Sequence, residues 1–215
     1  MPTLYYVHDP MCSWCYAFAP TWRRIESALP AGLSVEHVLG GLAPDSDEPM
    51  PPPMRDYLQQ TWHRIQTVVP GTVFNFDFWT QCTPRRSTYP ACRAVLAAKH
   101  FDPALERTMI AGIQRAYYQQ ARNPADVDTL CAVAEEIGLE PQGFRAWMAS
   151  AHCEAKLAGE LRKARDLGVT GFPSLILASD SGIRPVAHSH TDPQITLQDL
   201  ERPSGATGAR ASDAG

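Results

Sequence analysis

No stretch of this 215-residue chain is long and apolar enough to span a bilayer, because Pro, Arg, Asp or Glu interrupts every hydrophobic run. A strong charge of either sign is also missing. The formal net charge is −4 and evenly spread, which excludes the electrostatic footprint of a nucleic-acid or anionic-membrane binder. The opening residues, Met1 to Asp9, hold no basic segment, no apolar core and no small-residue cleavage site, so no secretory signal is expected. The expected location is therefore cytoplasmic, where six cysteines are not by default a disulfide framework. There is no internal repeat. What is present is an ordinary globular composition, 44% hydrophobic and 20% charged, in a chain long enough to bury one sizeable core.

The order of elements can be read from periodicity. Leu4-Tyr5-Tyr6-Val7 is a β-type run stopped by Asp9-Pro10. From Ser13 to Leu29 the apolar spacing is helical, with Pro20 expected to kink the helix, and Leu33 to Leu39 reads as a second strand. This is a βαβ beginning. A Pro- and Asp-rich loop over 43–53 leads into a helix whose one face carries Met54, Tyr57, Leu58, Trp62, Ile65 and Val69. Thr88-Tyr89-Pro90 reads as a capped helix start, and further helices are predicted at about 103–120, 125–137, 141–150 and 151–167. The period then returns to strand at Ser174–Leu177 and Arg184–His188, with a short helix over Gln194–Leu200. Strands at both ends must meet to bury their apolar faces. The expected organisation is a discontinuous domain of residues 1–42 and 169–200, a mostly helical insertion over 43–168, and a small polar tail from 203 to 215 expected to be disordered.

Cys12-Ser13-Trp14-Cys15 stands directly after a strand and opens a helix. A thiol at a helix N-terminus meets free backbone N–H groups that favour the thiolate, the form that attacks disulfides. A second thiol one turn later can attack the mixed disulfide that results. Cys12 is thus the expected nucleophile and Cys15 the resolving thiol. A structural zinc would need four ligands, and no second closely spaced Cys/His pair exists, so no metal is expected.

Three segments together carry a family resemblance: Asp9-Pro10-Met11-Cys12-Ser13-Trp14-Cys15, Pro90-Ala91-Cys92-Arg93-Ala94-Val95, and Gly168-Val169-Thr170-Gly171-Phe172-Pro173-Ser174. The chain resembles the DsbA-like thioredoxin superfamily, in particular its cytoplasmic, FrnE-like or protein-disulfide-isomerase-like branch, from about residue 3 to 190. The resemblance implies an α/β, thioredoxin-like fold with a large all-helical insertion, a thiol–disulfide oxidoreductase activity, and Pro173 cis and facing the cysteine pair. It implies substrate contacts at Ser13, Trp14, Phe172 and Pro173, with the backbone at Phe172 pairing with the substrate chain. Expected partners are protein or small-molecule thiols and disulfides, with neither nucleic acid nor membrane. No cofactor is expected beyond the redox-active cysteines, with glutathione as a possible co-substrate; the oligomeric state is left open. The uncharged Ser13-Trp14 pair leads us to expect a less oxidising couple than periplasmic DsbA, at about −120 mV.

The sequence departs from thioredoxins six residues before the first cysteine. Where thioredoxins carry a buried acid that accepts the resolving thiol's proton, this chain has Tyr6, leaving His8 or Asp9 as candidates beside a plain turn-forming role. Cys131 and Cys153 lie on apolar helix faces and read as core, as does the Phe74, Phe76, Phe78, Trp79 cluster, while Cys82 and Cys92 are open to a second redox pairing. Two rival functions are a glutathione-dependent isomerase or transferase related to the kappa-type glutathione transferases, against which Cys15 argues, and a non-enzymatic peptide-binding or chaperone module.

Overall fold

The structure, a computed structural model, describes residues 1–202; the tail expected at 203–215 lies outside the described residues. The chain begins with strand β1 (Thr3–His8), helix α1 (Ser13–Ser27) and strand β2 (Ser34–Leu39). Helices α2 (Pro52–Val68), α3 (Phe78–Gln81), α4 (Tyr89–Phe101), α5 (Glu106–Tyr118), α6 (Val127–Glu136), α7 (Pro141–Met148) and α8 (Ala151–Asp166) follow. Strands β3 (Ser174–Ser179) and β4 (Gly182–Val186) and helix α9 (Pro193–Leu200) complete the described chain. The four strands form one mixed sheet in the order β2-β1-β3-β4, with β1 parallel to β2 and antiparallel to β3. The two ends of the chain therefore meet in the sheet, as the separated strand signals required.

Alternation along β1 divides the packing. Leu4 and Tyr6 face Phe18, Trp22 and Ile25 of α1 together with Leu175 and Leu177 of β3. Val7 turns to the other face and packs with Val38 and with Ala164 of α8. Helices α2 to α8 enclose a larger core around Trp62, which is fully buried and stacks on Phe74 with ring centroids 4.7 Å apart. The aromatic segment from Phe74 to Trp79 thus serves as core, and part of it winds into α3, which the sequence pattern did not predict.

Helix α1 is continuous from Ser13 to Ser27 with Pro20 inside it. That proline lies on the exposed side, where the Tyr16 carbonyl it leaves without an N–H partner can be reached by water. Strand β4 starts two residues before the expected Arg184, because Gly182 takes a φ of +117° that turns the chain tightly enough to pair at once. The short helix expected over Gln194–Leu200 is α9, and its Leu197 and Leu200 pack on the α1 side of the sheet.

Candidate active site

The end of β1 delivers Asp9 to Cys12 into a tight turn whose closing bond runs from Cys12 N–H to the Asp9 carbonyl, 3.0 Å. Cys12 is the N-cap of α1, with extended backbone angles, and its sulfur accepts the Cys15 N–H at 3.3 Å. The helix N-terminus therefore points a backbone dipole at this sulfur. The Cys12 thiol also lies 3.6 Å from the Phe172 carbonyl, to which it donates. The Phe172–Pro173 peptide bond is cis. Two segments 160 residues apart in sequence are thus in contact at the redox candidate. Cys15, one turn into the helix, is 1% exposed, and burial together with the Cys12 sulfur pushes its thiol pKa well above the ordinary range. The structure holds both as free thiols.

The intervening residues diverge. Ser13 is buried, and its hydroxyl accepts the Trp62 Nε1–H at 3.0 Å, which ties the start of α1 to α2. Trp14 is half-buried at the surface, edge-on to His190 at 4.9 Å, with the Arg64 guanidinium 6.0 Å from its ring centroid. Of the two, only Trp14 is placed to meet a partner from outside.

Asp9 is the residue whose role sequence reading left undecided. Its carboxylate is fully buried and accepts Met11 N–H at 2.7 Å, Leu42 N–H at 2.7 Å and the Thr88 hydroxyl at 2.6 Å, with the Cys92 thiol at 3.8 Å. One side chain thereby joins the cysteine turn, the segment after β2 and the start of α4. Burial raises its pKa, while these donors pull in the opposite direction. Thr88 sits at the N-cap position of α4, but its hydroxyl does not cap the helix; it goes to Asp9 instead.

The proline loop is held from behind. The ring of Phe172 lies where a Cβ on Gly40 would have to be, so Gly40 is glycine for lack of space. Gly40→Ala is expected to push Phe172 away from Cys12 and to cost about 1–3 kcal/mol. Chemical denaturation and the rate of Cys12 exchange, measured on the same variant, check this; unchanged values for both would show that the loop yields freely.

The profile of the family described as the DSBA-like thioredoxin domain matches residues 3–199. The chain belongs to that family. Among solved structures of this DSBA-like kind, it is similar to a candidate protein disulfide isomerase from Nitrosomonas europaea, at 27% identity and a TM-score of 0.80, covering 93% of this chain and 95% of the other. It is also similar to the cytosolic disulfide reductase DsbM from Pseudomonas aeruginosa, at 28% identity and a TM-score of 0.71, covering 92% and 93%. A second structure of DsbM contains GSH and matches at 27% identity with a TM-score of 0.70, covering 92% and 94%. A curated relative, the ClpXP adapter protein SpxH from Halalkalibacterium halodurans, is 20% identical over 86% of the chain, which spans only 62% of that relative's length.

The remaining cysteines of this DSBA-like chain are free thiols with separate partners. Cys82 donates to the Ala121 carbonyl at 3.0 Å and Cys92 faces Asp9, so in this structure the two are not bonded to each other. Cys131 and Cys153 are buried in the helical core. Among the described residues no cluster of three or more His, Cys, Asp or Glu could hold a metal, and no helix is long and apolar enough to cross a membrane.

Proposed function

We propose that the protein is a thiol–disulfide exchange enzyme in which Cys12 attacks a substrate disulfide and Cys15 resolves the mixed disulfide. The observation that carries this reading is the Cys12 sulfur, held at the α1 N-terminus between the Cys15 N–H and the Phe172 carbonyl beside cis-Pro173. A cysteine so placed is anchored from below, and its neighbouring carbonyl is available to an extended peptide. Attack of the Cys12 thiolate forms a Cys12–substrate disulfide and expels one substrate thiolate. Cys15 then attacks Cys12, forms the Cys12–Cys15 disulfide and releases the second thiolate. Two electrons pass from the dithiol to the substrate. The division of roles follows position: Cys12 caps the helix against the cis-proline loop and is 6% exposed, while Cys15, one turn into the helix, is 1% exposed.

We read the physiological direction as reduction in the cytoplasm, with glutathione returning the pair to the dithiol. This is supported by the likeness to cytosolic DsbM, one structure of which holds GSH. Substrates are protein or small-molecule disulfides, with Trp14, Phe172 and Pro173 forming the contact surface and Ser13 anchoring it from inside. We also propose the two-part organisation, with 1–42 and 169–200 as the redox domain and 43–168 as the inserted helical part.

Insulin reduction with glutathione or dithiothreitol tests the reading on wild type, Cys12→Ser and Cys15→Ser. Activity is expected to vanish in Cys12→Ser, and stable mixed disulfides to accumulate in Cys15→Ser. Equal activity in all three proteins would overturn it.

A further inference from the structure

Helices α1 and α5 run antiparallel and are tied together at both ends. Late in α1 the Glu26 carboxylate accepts Arg107 Nη1–H at 2.6 Å, and early in α1 the Tyr16 hydroxyl accepts an N–H from the Gln119 amide at 2.8 Å. Between the ties Ala19 of α1 and Ala111 of α5 line a gap, and a cavity of about 780 Å³ opens there, with the β1–β2 face as its floor. That volume falls in the range of small-molecule sites, about 300–1,000 Å³. Cys15 lies on its wall, but Cys12, Trp14, Phe172 and Pro173 do not line it. The cavity is therefore separate from the surface read above as meeting disulfide substrates.

Several polar side chains of the walls are bonded within the protein. The Thr21 hydroxyl donates to the His190 carbonyl at 2.6 Å, Thr72 to the Val69 carbonyl at 2.9 Å and Tyr16 to the Val73 carbonyl at 3.1 Å. Gln114 of α5 differs. It lines the cavity and is 6% exposed, yet its amide has no hydrogen bond among the described residues. A side-chain amide carries two N–H donors and a carbonyl acceptor, and a buried one left unpaired is rare enough to call for a reason. On the floor, neither ring nitrogen of His37 has a partner.

The charge of the lining is one-sided. Arg23, Arg107 and Arg115 stand against the single carboxylate of Glu26. Arg107 is paired with Glu26 and Arg115 with Glu136, while Arg23 is exposed and has no ion pair among the described residues. The positive field reaches the floor, since burial, Arg107 and Lys99 together lower the His37 pKa to about 4. Val69, Pro70 and Ile110 make the rest of the wall apolar.

We propose that this cavity binds a small organic anion with an apolar body, its acid group drawn to Arg23 and its body lying between α1 and α5 against the Gln114 amide. A neutral ligand would leave the excess cation unanswered, and a bare inorganic ion would leave the apolar walls uncovered. The site does not depend on the exchange reading.

The probe is 8-anilinonaphthalene-1-sulfonate, an aromatic body carrying one sulfonate, titrated into the full chain and followed by its emission. Saturable binding of one molecule per chain is expected. N-phenyl-1-naphthylamine, the same body without the sulfonate, should bind about tenfold more weakly, as should the sulfonate to Arg23→Glu. Gln114→Leu should weaken binding about fivefold through the lost hydrogen bond. Ala111→Trp, a change at an exposed position, should fill the gap and abolish binding. Added salt should weaken binding to wild type and have little effect on Arg23→Glu. Cys12→Ser should bind as wild type does, because Cys12 lies outside the cavity. Thermal unfolding measured on each variant identifies any that has lost its fold, and the two exposed substitutions keep the test available if Gln114→Leu has done so. Absence of saturable binding overturns the proposal, as does equal affinity for the neutral analogue. Binding that survives Ala111→Trp, or is unchanged by Arg23→Glu, places the probe on another apolar surface and overturns it as well. Loss of binding in a folded Cys12→Ser protein places the probe at the exchange surface, with the same consequence.

Discussion

Replacing Asp9 by alanine is expected to lower the stability of the protein by about 3–5 kcal/mol and to slow disulfide exchange at the same time. The magnitude follows from what the carboxylate serves. Met11 N–H, Leu42 N–H and the Thr88 hydroxyl all donate to it within 2.7 Å in a fully buried setting. A buried donor left without an acceptor costs about 1–3 kcal/mol, and an alanine methyl accepts nothing. Thr88 can retain its contact with the Ala43 segment, so the two backbone N–H groups make up most of the loss. The effect on exchange arises because Met11 belongs to the turn that aims Cys12, and its carbonyl is fixed separately by the Tyr118 hydroxyl at 2.7 Å. Urea denaturation reads the first effect as a shift in midpoint at constant slope, and insulin reduction reads the second. Thr88→Val should cost less, about 1 kcal/mol, because the carboxylate keeps its two backbone donors. A loss below 1 kcal/mol in Asp9→Ala would mean that water replaces the carboxylate and that the clamp contributes little.

The parts of this site that could be read from sequence are those specified locally. A strand, a turn with Asp-Pro, and a helix opened by two cysteines one turn apart are encoded within fifteen residues, as is the turn before Pro173. The sheet could be inferred because the strand signals at the two ends had no other partners. Long-range side-chain contacts left no such trace. Asp9 meets Thr88 across 79 positions and Ser13 meets Trp62 across 49. Nothing in the period or spacing distinguishes a serine that faces substrate from one that binds an indole inside the protein. Thr88 shows the same difficulty: its position before Tyr89-Pro90 suited a cap, and the competing acceptor was visible only once the chain had folded. One available signal was a carboxylate in the turn before the cysteines, whose neighbours supply backbone N–H groups at short range.

A second large effect concerns acid. His8 and His37 are held neutral on the sheet face, the first lowered to about 3 by burial, His37 and Lys99, the second to about 4 by burial, Arg107 and Lys99. In the unfolded chain both titrate near 6.5. As the pH falls below 6.5 the unfolded state binds protons that the native state refuses, so stability decreases towards acid. Each such histidine contributes a slope of about 1.4 kcal/mol per pH unit, continuing to about pH 4 for His37 and about pH 3 for His8. The pair together should give roughly 2–3 kcal/mol per unit just below pH 6, the lower figure allowing for the partial exposure of His37. Asp9 and Glu160 act in the opposite sense: burial raises their carboxyl pKa values, so they protonate first in the native state and offset part of the loss at the acid end. The comparison that isolates the histidine is therefore a difference. His8→Gln should flatten the dependence of unfolding free energy on pH between 6 and 4 by about 1.4 kcal/mol per unit, whatever it does to stability at pH 7. Denaturant melts at several pH values measure both slopes. Equal slopes in the two proteins would mean that His8 titrates in the native state, and so that water already reaches the cavity floor beside Cys15.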